Sequence, residues 1–330
     1  MARSKPALVV VASSIIVLFG FLTLDRGAQP PLPDPGTDVI GVYLTSYALN
    51  NQGIMEGVFA AREQGKINAL VINVKNMHGE VTYRSEIPFV RGIDAAVDRI
   101  DLHRLIPELR ERGFYLIARQ VVFYDPILAR RLNVDGAWVS PEDETVVTYN
   151  LAIANEVADL GFDEIQFDYV RYPDGGGLAP VYAERYEAIG RFLDAARRLL
   201  SGRVKISADL FGRVMWGWNA KLIDPIGQSL EGIAPYVDFI SPMLYPSHYV
   251  EDYYKDDPYR VVSEALASGN ERVKARFRPF LQAFDLDLPE GMSLEDYIRA
   301  QIRAAEDGGA DGYLFWNPSC DYTALYRALD

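Results

Sequence analysis

Two aspartates stand at corresponding positions of two strand-like segments and could carry acid and base chemistry together. Asp168 ends the run Phe-Asp-Glu-Ile-Gln-Phe-Asp, and Asp209 stands in Val-Lys-Ile-Ser-Ala-Asp-Leu-Phe. Two carboxyl groups held close together cannot both ionise easily, so one stays charged while the other keeps a proton. The alternative for each is a structural carboxylate bonded to neighbouring lysines, arginines or backbone amides.

The stretch around Asp168 is typical of a β-strand that ends in a turn. Gly161 precedes it, and Pro173 with the glycines at 175–177 follows it. Strand alternation places Gln166 and Asp168 on one face of this strand. A carboxylate at the end of a strand, just before a loop, is where an α/β barrel carries its catalytic groups.

Similar strand patterns recur along the chain at intervals of about 40 residues, and each is followed by a helical pattern. We predict eight strands, at 39–47, 69–76, 115–123, 162–173, 204–211, 237–245, 277–284 and 312–316. Between strands two and three we expect only a helix and a long loop, and we expect Asn150 to cap a short helix at 151–160. Eight such units predict a (β/α)8 barrel, which typically needs ~250 residues. An open doubly wound sheet is disfavoured because no glycine-rich phosphate-binding loop follows the first strand.

A barrel would bring the ends of these strands to one mouth. We expect the mouth to contain Tyr43, Lys75, Arg119, Asp168, Arg171, Asp209, Tyr245, Gln282, Trp316 and Asn317. Adjacent strands lie ~5 Å apart. The two aspartates could therefore reach the carboxyl separations of glycosidases, about 5–5.5 Å for retaining and roughly 6.5–9.5 Å for inverting enzymes.

The other mouth residues suit a sugar ligand. Aromatic rings with a polar edge pack well on the C–H faces of sugars. Lys75, Arg119 and Arg171 either bind an anionic sugar substituent or form ion pairs with the carboxylates.

Composition excludes some classes of function. The chain has 330 residues, 49% of them hydrophobic, and a net charge of −13, which argues against binding to nucleic acid. A single cysteine, Cys320, allows no internal disulfide, and we interpret it as structural. No histidine or cysteine cluster has metal-ligand spacing, so we expect no metal site and no cofactor.

The N-terminus has the pattern of a targeting segment. Arg3 and Lys5 precede an uncharged apolar span at 7–24, which we interpret as a signal anchor, with a cleaved signal peptide as the alternative. A proline-rich linker at 25–37 and a folded domain at 38–330 would follow it. The domain would then be membrane-anchored and extracytoplasmic, or secreted if the segment is cleaved.

Several motifs resemble a family of bacterial glycoside hydrolases with a TIM-barrel fold that was long carried as a domain of unknown function. They are VYLT at 42–45, LVINVK at 70–75, ARQVVF at 118–123, GFDEIQFDYVRYP at 161–173, SADLFG at 207–212 and FWN at 315–317. The resemblance covers nearly all of 38–330. It implies a polysaccharide-directed barrel related to the α-amylase-like group, with Asp168 as nucleophile or base.

The chain departs from the family pattern at two places. Asn73 and Asn76 stand where the second strand of the family usually has carboxylates, and Ala283 stands where the family has an acidic residue. Three functions therefore stay open: a glycoside hydrolase for a cell-surface or extracellular polysaccharide, a non-catalytic carbohydrate-binding barrel, and another carbohydrate-active enzyme such as a lyase or transglycosylase.

Overall fold

The computed structural model describes residues 39–330, which alternate strand and helix along the chain. The strands are β1 Ile40–Leu44, β2 Ala69–Lys75, β3 Val81–Tyr83, β4 Ala96–Ile100, β5 Tyr115–Val121, β6 Glu164–Asp168, β7 Lys205–Phe211, β8 Phe239–Met243, β9 Phe280–Gln282 and β10 Tyr313–Trp316. The helices are α1 Gln52–Glu63, α2 Pro88–Gly92, α3 Leu102–Glu111, α4 Pro126–Leu132, α5 Glu144–Leu160, α6 Ala183–Leu200, α7 Leu230–Ile233, α8 Asp252–Lys255, α9 Pro258–Arg272, α10 Leu294–Asp307 and α11 Thr323–Ala328.

Eight parallel strands close into a barrel with helices around it. Their order is β1-β10-β9-β8-β7-β6-β5-β2, and β2 pairs again with β1, so the ring has no free edge. On β1, Val42 lies opposite Phe315 of β10 on one side and opposite Leu70 of β2 on the other. The predicted (β/α)8 barrel and its eight strands are confirmed. The strands are shorter than the predicted ones because their ends turn into the loops of the mouth.

An insertion of two strands and a short helix follows β2, where only a long loop was expected. Strand β3 pairs antiparallel with β2 through Lys75 and Val81, and β4 pairs parallel with β3. Glu156 on α5 holds the insertion, since its carboxylate accepts hydrogen bonds from the hydroxyls of Tyr83 and Ser85, both at 2.7 Å. Because β3 has only three residues and depends on this distant carboxylate, local pattern could not reveal it.

Helix α5 begins earlier than expected. Asp143 caps it by accepting hydrogen bonds from the amides of Thr145 and Val146, whereas Asn150 was predicted to be the cap. Asn150 instead lies buried inside the helix, and its side chain accepts from Gln120 at 3.1 Å. Asn150, which was expected to cap the helix, therefore links α5 to strand β5 of the barrel. Helix α4, capped by Asp125, was also not predicted.

The interior of the barrel is polar at both ends. Near the start of β6, Glu164 forms a fully buried ion pair with Arg278 at 2.8 Å. One step further, Gln166 donates to Ser241 at 3.2 Å, and Asp168 then ends the strand at the mouth. Phe167 points the other way and packs against Phe192 of α6. The alternation predicted for this strand is confirmed.

The predicted signal anchor at 7–24 and linker at 25–37 lie outside the described residues. Within 39–330 none of the helices combines the length and the apolar character that crossing a bilayer requires.

Candidate active site

Arg119 on β5 organises the mouth of the barrel. Its Nε donates to Oδ2 of Asp168 at 2.9 Å, and its Nη2 donates to the same oxygen. Its Nη1 donates to Oδ1 of Asn73 at 3.0 Å, and Asn73 in turn donates to the hydroxyl of Tyr43 at 3.0 Å. The guanidinium thus joins β5 to β6 and β2 directly, and to β1 through Asn73, which fixes the orientation of the Asp168 carboxylate.

Asp168 is held from its other oxygen as well. Its Oδ1 accepts the backbone N–H of Tyr169 at 2.5 Å. Tyr169 has a φ of 51°, which is uncommon for a residue with a side chain and strained. The backbone therefore turns sharply at the end of β6, and this turn brings an N–H group back onto the carboxylate.

Asp209 on β7 approaches the same guanidinium but lies in a different environment. It is 2% exposed, and its Oδ2 lies 3.9 Å from Nε of Arg119. Its Oδ1 has no hydrogen-bond partner among residues 39–330. Burial raises the pKa of Asp209 well above its usual value, the charge of Asp168 acts in the same direction, and Arg119 opposes them. A carboxyl group whose protonated form is favoured by burial thus stands beside an ion-paired carboxylate.

The shared arginine limits the distance between the two carboxyl groups. Nε of Arg119 is 2.9 Å from Oδ2 of Asp168 and 3.9 Å from Oδ2 of Asp209, so these two oxygens can be at most 6.8 Å apart, the sum of the two distances. The two predicted carboxyl groups are therefore close neighbours, as the barrel arrangement requires.

One side of the mouth is an aromatic wall. Tyr245 stacks on Trp316, with ring centroids 5.7 Å apart and planes at 28°, and Phe284 stands perpendicular to Trp316 at 5.2 Å. His248 lies 5.2 Å from Tyr245. Burial raises the pKa of Tyr245 well above its usual value, with Asp209 and Asp168 adding to the effect, so its hydroxyl remains a hydrogen-bond donor. Phe284, the last residue of the predicted seventh strand, was absent from the predicted set.

A second group of rings lies on the Asp168 side. The ring centroids of Tyr124 and Trp138 are 5.1 Å apart, and Tyr169 lies 5.5 Å from Tyr124. The guanidinium of Arg171 lies over Trp138 at 4.6 Å and over Phe211 at 4.4 Å. Tyr124 and Trp138 were not expected at the site. An isolated β-bridge pairs the two residues across helix α4, and no local sequence pattern predicts it.

Lys75 does not reach the mouth, contrary to the prediction. Its ammonium group lies 2.8 Å from Oδ2 of Asp125 and donates to the carbonyl of Val121 at 2.7 Å. Both side chains of the pair are fully buried. The register shift on β2 between Asn73 and Lys75 explains the difference, because it breaks the alternation that would have continued from Asn73.

Gln282 and Asn317 use their side-chain hydrogen bonds on the loops, whereas substrate binding was predicted for them. Gln282 is fully buried and accepts hydrogen bonds from Ser247 and Tyr297. Asn317 donates to the carbonyls of Ala283 at 2.6 Å and Asp321 at 2.9 Å. Both amides sit at strand ends, as predicted, but their hydrogen bonds are used to shape the loops that carry the aromatic wall.

The fold and this site define a (β/α)8 barrel with a carboxyl pair at its mouth, which is the architecture of many enzymes that act on sugars. Residues 41–322 match the model of the family described as "putative glycosyl hydrolase domain", and the chain belongs to that family. No protein of curated function matches the chain.

Solved structures with the same fold share little sequence with this chain. The glycoside hydrolase domain of PgaB (BpsB) from Bordetella bronchiseptica is 15% identical over 89% of this chain and 98% of that one, with a TM-score of 0.67. The endo-β-1,4-mannanase from Thermotoga petrophila is 13% identical over 91% and 77%, with a TM-score of 0.61. The spore cortex-lytic enzyme SleL from Bacillus cereus is 12% identical over 88% and 73%, with a TM-score of 0.59. These likenesses concern the fold.

Proposed function

We propose that this protein is a glycoside hydrolase that acts on a polysaccharide, with Asp168 as the nucleophile or base and Asp209 as the acid. The observation that carries the proposal is the unequal treatment of two neighbouring carboxyl groups by one arginine. Arg119 donates two hydrogen bonds to Asp168, whereas Asp209 is buried 3.9 Å away, and one of its oxygens has no partner among residues 39–330. Membership of the glycosyl hydrolase family supports the same reaction class.

Each carboxyl group then has one task. The protonated carboxyl of Asp209 donates its proton to the glycosidic oxygen as the bond to the anomeric carbon breaks. The carboxylate of Asp168 supplies an electron pair to that carbon, directly or through a water molecule. The 6.8 Å limit on the two Oδ2 atoms includes the range for retaining enzymes and the lower end of the inverting range, so the geometry allows attack by Asp168 either directly or through water.

The aromatic wall is the natural place for the sugar ring beside the cleavage point. Trp316 is partly exposed, while Tyr245 beneath it is almost completely buried. A sugar that packs its C–H face on Trp316 would lie next to the hydroxyl of Tyr245, which stays protonated. Tyr43 and Arg119 complete the polar side of this subsite.

The apolar span at 7–24 supports a location outside the cytoplasm. As a signal anchor it would hold the domain at 38–330 near the membrane, where a cell-surface or extracellular polysaccharide is the accessible substrate. As a cleaved signal peptide it would release the same domain.

A non-catalytic carbohydrate-binding barrel is the second candidate, and Asn73 is the observation that favours it. An amide occupies the position from which Arg119 receives its third contact, where the family usually has a carboxylate. The mouth therefore has one negative charge fewer around the arginine, which suits binding as well as it suits hydrolysis.

Hydrolysis by the full-length protein can be tested on a panel of bacterial polysaccharides, with released reducing ends as the readout. Asp168→Asn should lower the rate by about 10²–10⁴-fold while sugar binding persists. Asp285→Asn, which changes an exposed aspartate after β9, is the matched control and should keep the activity. Binding by the wild type without any release of reducing ends would support the second candidate. Product analysis would separate hydrolysis from transfer or elimination, and the anomeric configuration of the first product, read by NMR, tests retention.

A further inference from the structure

Three cations were candidates for binding an anionic sugar substituent, and the structure leaves one of them available. Lys75 is fully buried against Asp125. Arg119 uses its donors on Asp168 and Asn73. Arg171 forms no ion pair within 4.0 Å among residues 39–330 and donates one hydrogen bond, from Nη1 to the carbonyl of Tyr172 at 2.9 Å. Its remaining N–H groups have no protein acceptor in this part of the chain.

The surroundings of Arg171 are unusual for an unpaired charge. The residue is only 9% exposed, and its guanidinium is enclosed by the rings of Trp138, Phe211 and Tyr169, at 4.6, 4.4 and 5.2 Å. Rings stabilise a cation through their electron-rich faces but do not satisfy its N–H donors. Burial lowers the pKa of Arg171, and the charges of Asp168 and Asp174 oppose this effect only in part.

A neighbouring arginine shows what a satisfied cation looks like at the same place. Arg213 also lies over Phe211, at 5.0 Å, but it donates to Asp174 at 2.7 Å and to Asp224 at 2.9 Å. These contacts commit Asp174 and Asp224, and Asp168, the carboxylate that acts most strongly on Arg171, is already held by Arg119. Arg171 therefore forms no ion pair of its own among residues 39–330. An arginine fork that is fixed by stacking and lacks a carboxylate is prepared to bind one from outside.

Arg171 follows Asp168 by three residues, so an anion bound there would belong to a sugar near the cleavage point. We propose that the mouth binds an acidic sugar, with the carboxylate of a uronic acid residue held by Arg171 between Trp138 and Phe211. This inference rests on the proposed function and specifies its substrate class. The net charge of −13 would repel an anionic polymer, so a preference for acidic sugars must arise from this local contact.

The test compares uronate-containing bacterial polysaccharides with the same polymers after chemical reduction of their carboxylates to alcohols. Each pair keeps its linkages and differs in charge. Binding to the full-length protein is measured by affinity electrophoresis at physiological salt, and released reducing ends are measured separately. The wild type should bind at least one native polymer about tenfold more tightly than its reduced form.

Three variants locate the effect. Arg171→Met keeps an apolar chain between the rings and should abolish the preference, and Arg171→Lys should keep part of it because the charge remains without the fork. Arg191→Met removes an exposed arginine on α6 that pairs with Glu142 and Glu187, and it should behave as the wild type. Thermal unfolding shows whether each variant is folded. If a variant does not fold, the comparison of native with reduced polymer in the wild type still tests the inference.

The outcomes separate this inference from the proposed function. Equal binding of native and reduced polymers, a preference that survives in Arg171→Met, or no binding to any uronate-containing polymer would overturn the acidic-sugar site. Hydrolysis that is indifferent to carboxyl reduction would leave the hydrolase intact and remove the inference. A strong binding preference for the native polymer without any cleavage would support the acidic-sugar site and contradict the proposed hydrolase.

Discussion

Nε of Arg119 lies 2.9 Å from Oδ2 of Asp168. The same atom lies 3.9 Å from Oδ2 of Asp209, so a single guanidinium connects the ends of three neighbouring strands. The arginine contacts Asp168 more closely than Asp209, and burial further separates the two groups by raising the pKa of Asp209. This asymmetry is the physical basis for assigning different roles to two residues of the same type.

The fork geometry of Arg119 should matter as much as its charge. Arg119→Lys keeps the charge but removes the planar fork whose two nitrogens donate to Asp168, so the carboxylate loses its fixed orientation. We expect kcat to fall by roughly 10²-fold with a smaller change in KM, measured on a polysaccharide that the wild type is found to cleave. An unchanged kcat would show that the orientation of Asp168 does not depend on this contact.

Asp209 should make stability depend on pH. Its pKa is raised in the folded protein, so above about pH 4 the unfolded chain binds fewer protons than the folded one. The free energy of unfolding therefore falls as pH rises from this value towards the raised pKa. Asp209→Asn removes this effect and should be more stable than the wild type at pH 7 but similar at pH 4, as measured by urea unfolding.

The same variant should lose activity, since an amide cannot donate the proton. In the wild type the activity should decline as pH rises through the raised pKa of Asp209. Parallel stability curves for the two proteins between pH 4 and 7 would contradict the assignment of a buried, protonated Asp209.

Lys75 should prove to be a structural residue. Lys75→Met leaves Asp125 as an uncompensated buried charge, and we expect a loss of about 3–5 kcal/mol in the free energy of unfolding. The double variant Lys75→Met/Asp125→Asn should recover part of this loss. If Lys75→Met instead folded normally and weakened sugar binding, the placement of Lys75 away from the mouth would be wrong.

Gly312 should be needed for closure of the barrel. Its φ is 83°, and a Cβ there would lie 2.2 Å from the carbonyl oxygen of Val39, which accepts the hydrogen bond that starts the pairing of β10 with β1. Gly202 has a φ of 73° with no atom near its Cβ position, so Gly202→Ala measures the backbone strain alone, about 1 kcal/mol. Gly312→Ala should cost a further ~1–3 kcal/mol in thermal or urea unfolding. If Gly312→Ala and Gly202→Ala lowered the free energy of unfolding equally, the strands would be able to accommodate the new Cβ at no additional cost.

Local pattern determined the architecture of this protein. The eight apolar strand segments and their helical successors follow from side-chain periodicity, which depends only on neighbouring residues. The same periodicity placed Asp168 and Asp209 at the ends of adjacent strands, because strand order in a parallel barrel follows the order of the chain. Short elements such as β3, and the true start of α5, escaped because they depend on contacts from distant segments.

Which polar side chains are free to act was decided by the tertiary structure. Lys75, Arg119 and Arg171 look alike in sequence, but a register shift buries the first against Asp125, two carboxyl groups engage the second, and three rings enclose the third. The raised pKa of Asp209 likewise comes from burial among neighbouring strands. Charge state and availability depend on what surrounds a group in three dimensions, and a sequence pattern records only what precedes and follows it.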